Sequence, residues 1–225
     1  MGVEIDPNAR AAALALLSAA EALPARTTPA LRALRRDYSR RWRNRPAAFI
    51  HGVARALHER QALRWVGYEL IRRHPAAFAA LDDPTLDDFS PGLASWDAVD
   101  AFGRILSGPA WAHGLCSDSL FDRWSASGDR WLRRAALVST VALNMPADGG
   151  RGDAARTLAI CRRLAGDPDD MVVKALSWAL RALSVRDADP VRAFLAGEDA
   201  RLAPRVKREV RHKLETGLKT PRKAG

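Results

Sequence analysis

The sequence predicts an all-α protein, an array of antiparallel helix pairs of the α-solenoid kind. Three observations carry that expectation. Ala, Leu and Arg dominate the chain, and all three are strong helix formers. No stretch alternates apolar and polar residues with β-branched enrichment, so no sheet is expected. Helix-length segments come in pairs separated by tight turns, as in helical repeat arrays, although the repeats share no clear sequence motif.

Taken in order, helices are expected over 7–22, 29–43, 46–58, 61–73, 95–107, 117–126, 129–143, 152–165, 170–186, 190–197 and 203–216. Thr28 precedes Pro29 at a first helical position. Asp129 opens the helix that carries Trp131, and Asp169 opens the one that carries Trp178. Gly166 and Gly217 stand where helices should stop. The segment Pro146 to Gly152 is the most loop-like internal stretch, yet it lies between helices and does not read as a domain boundary. A single domain over 1–218 is expected, followed by a disordered basic tail over 219–225.

At 225 residues and 48% hydrophobic residues the chain is long enough for a real core. Its start is acidic rather than basic-then-apolar, so no signal peptide is expected, and the apolar run from Ala11 to Leu17 is too short to span a bilayer. Cys116 and Cys161 make neither a disulfide framework nor a metal spacing, which suits a reducing, cytoplasmic setting. The net charge is +10 and unevenly spread. From Arg26 to Arg73 thirteen arginines face only Asp37, Glu59 and Glu69. From Arg201 to Gly225 nine basic residues face two acidic ones. Such a surface attracts polyanions with salt-sensitive affinity, and a merely solvated Arg-rich surface is the alternative.

The most informative segment is Ser95-Trp96-Asp97-Ala98-Val99-Asp100. On a helix, Trp96 and Asp100 stand one turn apart on one face. The apolar positions Val99, Phe102, Leu106 and, marginally, Ile105 centre on the opposite side. A large ring and a carboxylate are thus paired away from the core side. Packing of Trp96 on a neighbouring helix, with Asp100 bound to an arginine, is the alternative that periodicity leaves open. Trp178 repeats the pattern: Val172, Leu176, Leu180 and Leu183 form the core stripe, and the ring projects elsewhere, between Lys174 and Arg181. A ring flanked by cations suits a nucleotide and its phosphates, or is simply covered by long charged stems. Arg134, in Arg130-Trp131-Leu132-Arg133-Arg134, lies at the edge of an apolar sector and needs an anion, either a protein carboxylate or a phosphate. Trp42, Trp65, Trp111 and Trp124 read as packing residues. Tyr38 lies in an Arg-rich stretch that suits either backbone contact or solvent. His51 and His58 are seven apart with no third ligand in register, so no metal site is expected. There is no Gly-rich phosphate loop and no Gly-x-Ser-x-Gly elbow.

These residues resemble the AlkD-type DNA alkylation repair glycosylases, built of HEAT-like repeats. The markers, in order, are Thr28-Pro29-Ala30-Leu31-Arg32, Ser95 to Asp100, Asp129-Arg130-Trp131-Leu132-Arg133-Arg134-Ala135-Ala136, Lys174-Ala175-Leu176-Ser177-Trp178-Ala179-Leu180-Arg181 and Lys207-Arg208-Glu209, spread between about Thr27 and Leu214. The resemblance implies a superhelical HEAT-like fold whose concave basic face holds duplex DNA. It implies hydrolysis of the N-glycosidic bond of cationic N3- or N7-alkylated purines, with no cofactor and no metal. Asp100 would be the catalytic carboxylate, with Trp96 and Trp178 at the sugar. Arg134 would grip a phosphate, and Arg32 and Lys207, within the quoted motifs, would join Lys174 and Arg181 as DNA-binding cations. A monomer that acts on the nucleoid is expected. Three features depart from the pattern. Ser95 replaces the first of two tryptophans common before the aspartate, Ser177 stands where glycine is common, and the segment before Thr27 matches poorly. A non-catalytic HEAT-like module that binds DNA structures or a protein partner is the alternative reading.

Overall fold

The computed structural model describes residues 4–60 and 63–218 and is all-helical over them. The expected tail over 219–225 lies outside the described residues. Contacts divide the chain into two compact units, Met1–Gly92 and Leu93–Gly225. No helix among the described residues is long and apolar enough to cross a membrane.

The first unit holds α1 (Pro7–Glu21), α2 (Thr28–Arg41), α3 (Ala47–His58), α4 (Arg64–Arg73), α5 (Pro75–Ala79) and α6 (Asp83–Asp88). The cap of α2 is Thr27 rather than Thr28: its hydroxyl accepts from the Ala30 N–H at 3.3 Å, which moves the helix start one residue back. The helices α5 and α6 are not foreseen from the sequence. Each is too short to show a period; α5 begins at Pro75 and is capped by His74, and α6 carries Pro84 as its second residue and is capped by Asp82. Leu16, Ile50, Leu57, Tyr68, Ile71, Leu86 and Phe89 form the core. Tyr38 belongs to it as well, since it is buried, lies tilted against the Trp42 ring and donates to the Ala15 carbonyl. His51 Nε2 lies 2.8 Å from the Ala77 carbonyl, and His58 lies between the Tyr68 hydroxyl and the Pro91 carbonyl.

The second unit holds α7 (Trp96–Phe102), a π-helical turn (Gly103–Ser107), α8 (Gly108–Ala112), α9 (Asp118–Ser125), α10 (Arg130–Asn144), a 3-10 turn (Pro146–Asp148), α11 (Ala154–Arg163), α12 (Asp170–Ser184), α13 (Ala188–Gly197) and α14 (Pro204–Thr216). Every residue of α10 from Arg134 to Asn144 is buried. A helix that is apolar almost all round is a central one, and α10 touches α7, the π turn, α8, α9, α11 and α12. Alternate helices also touch: α10 with α12, α12 with α14, α9 with α11 and α11 with α13. Asp129 and Asp169 cap α10 and α12 as expected, accepting from the N–H groups of Trp131 and Met171 at 2.8 Å.

The helix expected to end near 107 does not end there. It runs from Trp96 through the π turn to Ala112, with the Gly108 N–H reaching back five residues to the Gly103 carbonyl. The wide turn ends at Gly108, and the helix continues through Pro109. This helix lies unusually close to α10. A Cβ on Gly103 would meet Val138 Cγ1 at 2.7 Å, and one on Gly108 would meet Ala142 Cβ at 2.5 Å. Between the two glycines the buried Ser107 and Ser139 hydroxyls share a hydrogen bond of 2.8 Å. That close approach positions Asp100 opposite Arg134.

Candidate active site

The site lies in the second unit and is built from α7, α10 and α12. Val99, Phe102 and Leu106 are fully buried, as their spacing predicts, so α7 turns Trp96 and Asp100 away from the core. Trp96 is 58% exposed, among the most exposed large apolar side chains of the molecule. Of the two parts of the packing alternative, the tryptophan part does not hold and the arginine part does.

Asp100 and Arg134 form a bidentate ion pair. Arg134 Nε donates to Oδ1 at 3.0 Å, and Nη2 donates to Oδ1 at 2.8 Å and Oδ2 at 3.0 Å. The third nitrogen, Nη1, donates to the Met171 carbonyl at 2.5 Å, at the start of α12. The Arg134 side chain is only 6% exposed and that of Asp100 is 18% exposed. The anion for Arg134 is therefore a protein carboxylate. Burial raises the Asp100 pKa above the ordinary carboxylate value of 3.8; the Arg134 charge and hydrogen bonds oppose that shift without cancelling it, helped by Arg104.

Val172, Leu176, Leu180 and Leu183 are fully buried and Trp178 is half-buried, as the stripe predicts. The cation over its ring is a different one. Arg104 places its guanidinium carbon 5.8 Å from the ring centroid. Lys174 is bound to Asp170 at 2.6 Å. Arg181 turns inward, donating to the Ser177 carbonyl and hydroxyl at 3.2 Å and pairing with Glu209. Helical wheels place these long side chains near Trp178, but carboxylates on α12 and α14 decide where their charges go. Lys207 is likewise held by Asp199, and Arg32, in the first unit, pairs with Glu69 at 3.1 Å and lies over Trp65.

Arg104 and Asp148 were not legible as members of the site. Arg104 follows Asp100 by four residues and Trp96 by eight, so a spacing signal was present on the same face. Asp148 carried none, because it comes from the loop after α10. Ser177 donates to Glu209 Oε2 at 2.6 Å and ties α12 to α14.

The arrangement offers an exposed indole, a half-buried carboxylate one turn away, a second indole, and two arginines whose charges are matched by carboxylates. No group of three or more His, Cys, Asp or Glu residues among the described residues could hold a metal ion. No curated protein matches this sequence. The model of the family described as DNA alkylation repair enzyme matches residues 4–214, further toward the N-terminus than the motifs reach. With nearly its whole length matched, the chain belongs to the DNA alkylation repair enzyme family.

Proposed function

We propose that this protein is a monofunctional DNA glycosylase that hydrolyses the N-glycosidic bond of cationic N3- or N7-alkylated purines in duplex DNA. The observation that carries this reading is the Trp96–Asp100 pair: a bare indole and a carboxylate side by side on the face of α7 that avoids the core. Membership of a DNA alkylation repair family supports the substrate. The same reading takes the helix pairs as HEAT-like repeats and the protein as a monomer acting on the nucleoid.

The chemistry asks little acid catalysis of the protein. Alkylation at N3 or N7 leaves the purine positively charged and already a good leaving group. As the bond to C1′ breaks, positive charge moves onto the sugar. The Asp100 carboxylate stabilises that charge and orients the attacking water. The faces of Trp96 and Trp178 add cation–π stabilisation and exclude bulk water. Arg134 holds the carboxylate in one orientation, and a backbone phosphate could bind it only by displacing Asp100. Native protein incubated with methylated duplex DNA should release free methylpurine. Binding without release would leave the non-catalytic DNA-binding module, which the closed Asp100–Arg134 pair favours.

Two outcomes follow directly. Trp96→Ala should leave the melting temperature within about a degree, because a largely exposed ring contributes little to the core. It should lower kcat/KM for a methylated duplex about tenfold or more. Equal losses of stability and activity would make Trp96 a packing residue. Because the carboxylate must be ionised to act and burial raises its pKa, activity should fall as the medium is acidified toward that raised value. The acid limb of the kcat/KM profile should therefore lie above the ordinary carboxylate value of 3.8. A limb at or below 3.8 would assign it to another group.

A further inference from the structure

Arg104 is a second arginine beside Asp100, and it is held elsewhere. Its Nε and Nη2 both donate to Asp148 Oδ2, at 2.9 and 2.7 Å. Asp148 is mostly covered and sits on a braced turn. The Gly150 N–H donates to the Met145 carbonyl and the Gly152 N–H to the Leu143 carbonyl. The buried Asn144 donates to Thr157 and accepts from the Asp153 N–H, and Arg186 donates to the Asn144 carbonyl. A carboxylate on so fixed a turn dictates where a flexible arginine rests. Here that place is over the Trp178 ring.

The alternative position for Arg104 is one turn back. An aspartate four residues before an arginine is in the favourable orientation for a helical ion pair. We propose that Arg104 and Asp148 are paired positioning residues of the glycosylase site: Asp148 parks the guanidinium against Trp178, steadying the indole, and so keeps a second arginine off the Asp100 carboxylate. This rests on the reading of Asp100 as the catalytic group. The charged groups that Asp100 feels are Arg134 from α10 and Arg104 and Asp97 from its own helix. Arg134 already makes three hydrogen bonds to the carboxylate, so a second guanidinium would take the last of its roughly four acceptor sites from water or sugar.

The test sets Arg104→Gln against Asp148→Asn. Arg104→Gln removes a positive charge near Asp100, so the acid limb of kcat/KM should move to higher pH. Asp148→Asn frees Arg104 to reach Asp100, so the limb should move to lower pH while kcat at neutral pH falls about tenfold. The double variant should behave as Arg104→Gln alone, because Asp148 acts through Arg104. General loosening of the site would move both single variants the same way and make the double variant worse than either; that result overturns the proposal. The Asp100 carboxyl is titrated in parallel by NMR in native protein and variants, where the same opposite shifts are expected without any need for turnover. Native protein that releases no base would remove the glycosylase reading, while the titration still decides whether Asp148 keeps Arg104 off Asp100.

Discussion

Asp100→Asn should keep the protein folded and bound to DNA while lowering release of methylated purine by about a hundred- to a thousandfold, the size of effect seen when one electrostatic stabiliser of a transition state is removed. Asparagine has nearly the same shape and retains one carbonyl oxygen for Arg134, so the geometry between α7 and α10 survives. What it lacks is the charge that offsets the developing sugar cation. Asp100→Ala is a different experiment. It leaves the Arg134 guanidinium buried with the Met171 carbonyl but no carboxylate, and breaking a buried pair in that way costs about 3–5 kcal/mol. The Ala variant therefore confuses stability with chemistry, whereas the Asn variant separates them. Base release and DNA affinity should be measured on the same preparation. Unchanged release by Asp100→Asn would remove this residue from the reaction.

The second large effect is expected far from any substrate. Gly108→Ala should destabilise the protein by about 3 kcal/mol, at the upper end for one added methyl group. Its Cβ would lie 2.6 Å from both the Gly103 and the Ser139 carbonyl oxygens, besides the contact with Ala142. Backbone oxygens cannot rotate away, so the whole helix from Trp96 to Ala112 must lift from α10. That displacement parts Asp100 from Arg134, and activity should fall with stability. Gly197→Ala is the control: nothing lies within 4 Å of its Cβ position, and stability should stay within about 0.5 kcal/mol. Denaturant unfolding of both variants checks the contrast; equal midpoints would show that the close approach of the two helices is not needed.

Much of this was legible in the chain. Hydrophobic period alone placed Val99, Phe102 and Leu106 inward and Trp96 outward, and it placed Trp178 off the Val172–Leu183 stripe. The capping aspartates marked the starts of α10 and α12, and the ordered motifs pointed to the family that the whole-chain match shows. Periods need length, however. The five- and six-residue helices α5 and α6 show none, and the π turn disguises one long helix as a shorter one. Charges were the least legible. Lys174 and Arg181 flank Trp178 in sequence, yet Asp170 and Glu209 hold them, and Arg104 takes the place over the ring.

The sequence by itself determined the helical class, the family and which face of α7 carries the ring and the carboxylate. These follow from local propensity and period, which act within a few residues. Tertiary structure alone decided what each charge is bonded to: Asp100 to Arg134, and Arg104 to Asp148. A long cationic side chain can sweep many ångströms around its Cα, so its resting place is set by whichever carboxylate the packing of other helices brings within reach. Here that packing depends on two glycines, Gly103 and Gly108, which let one helix close on α10.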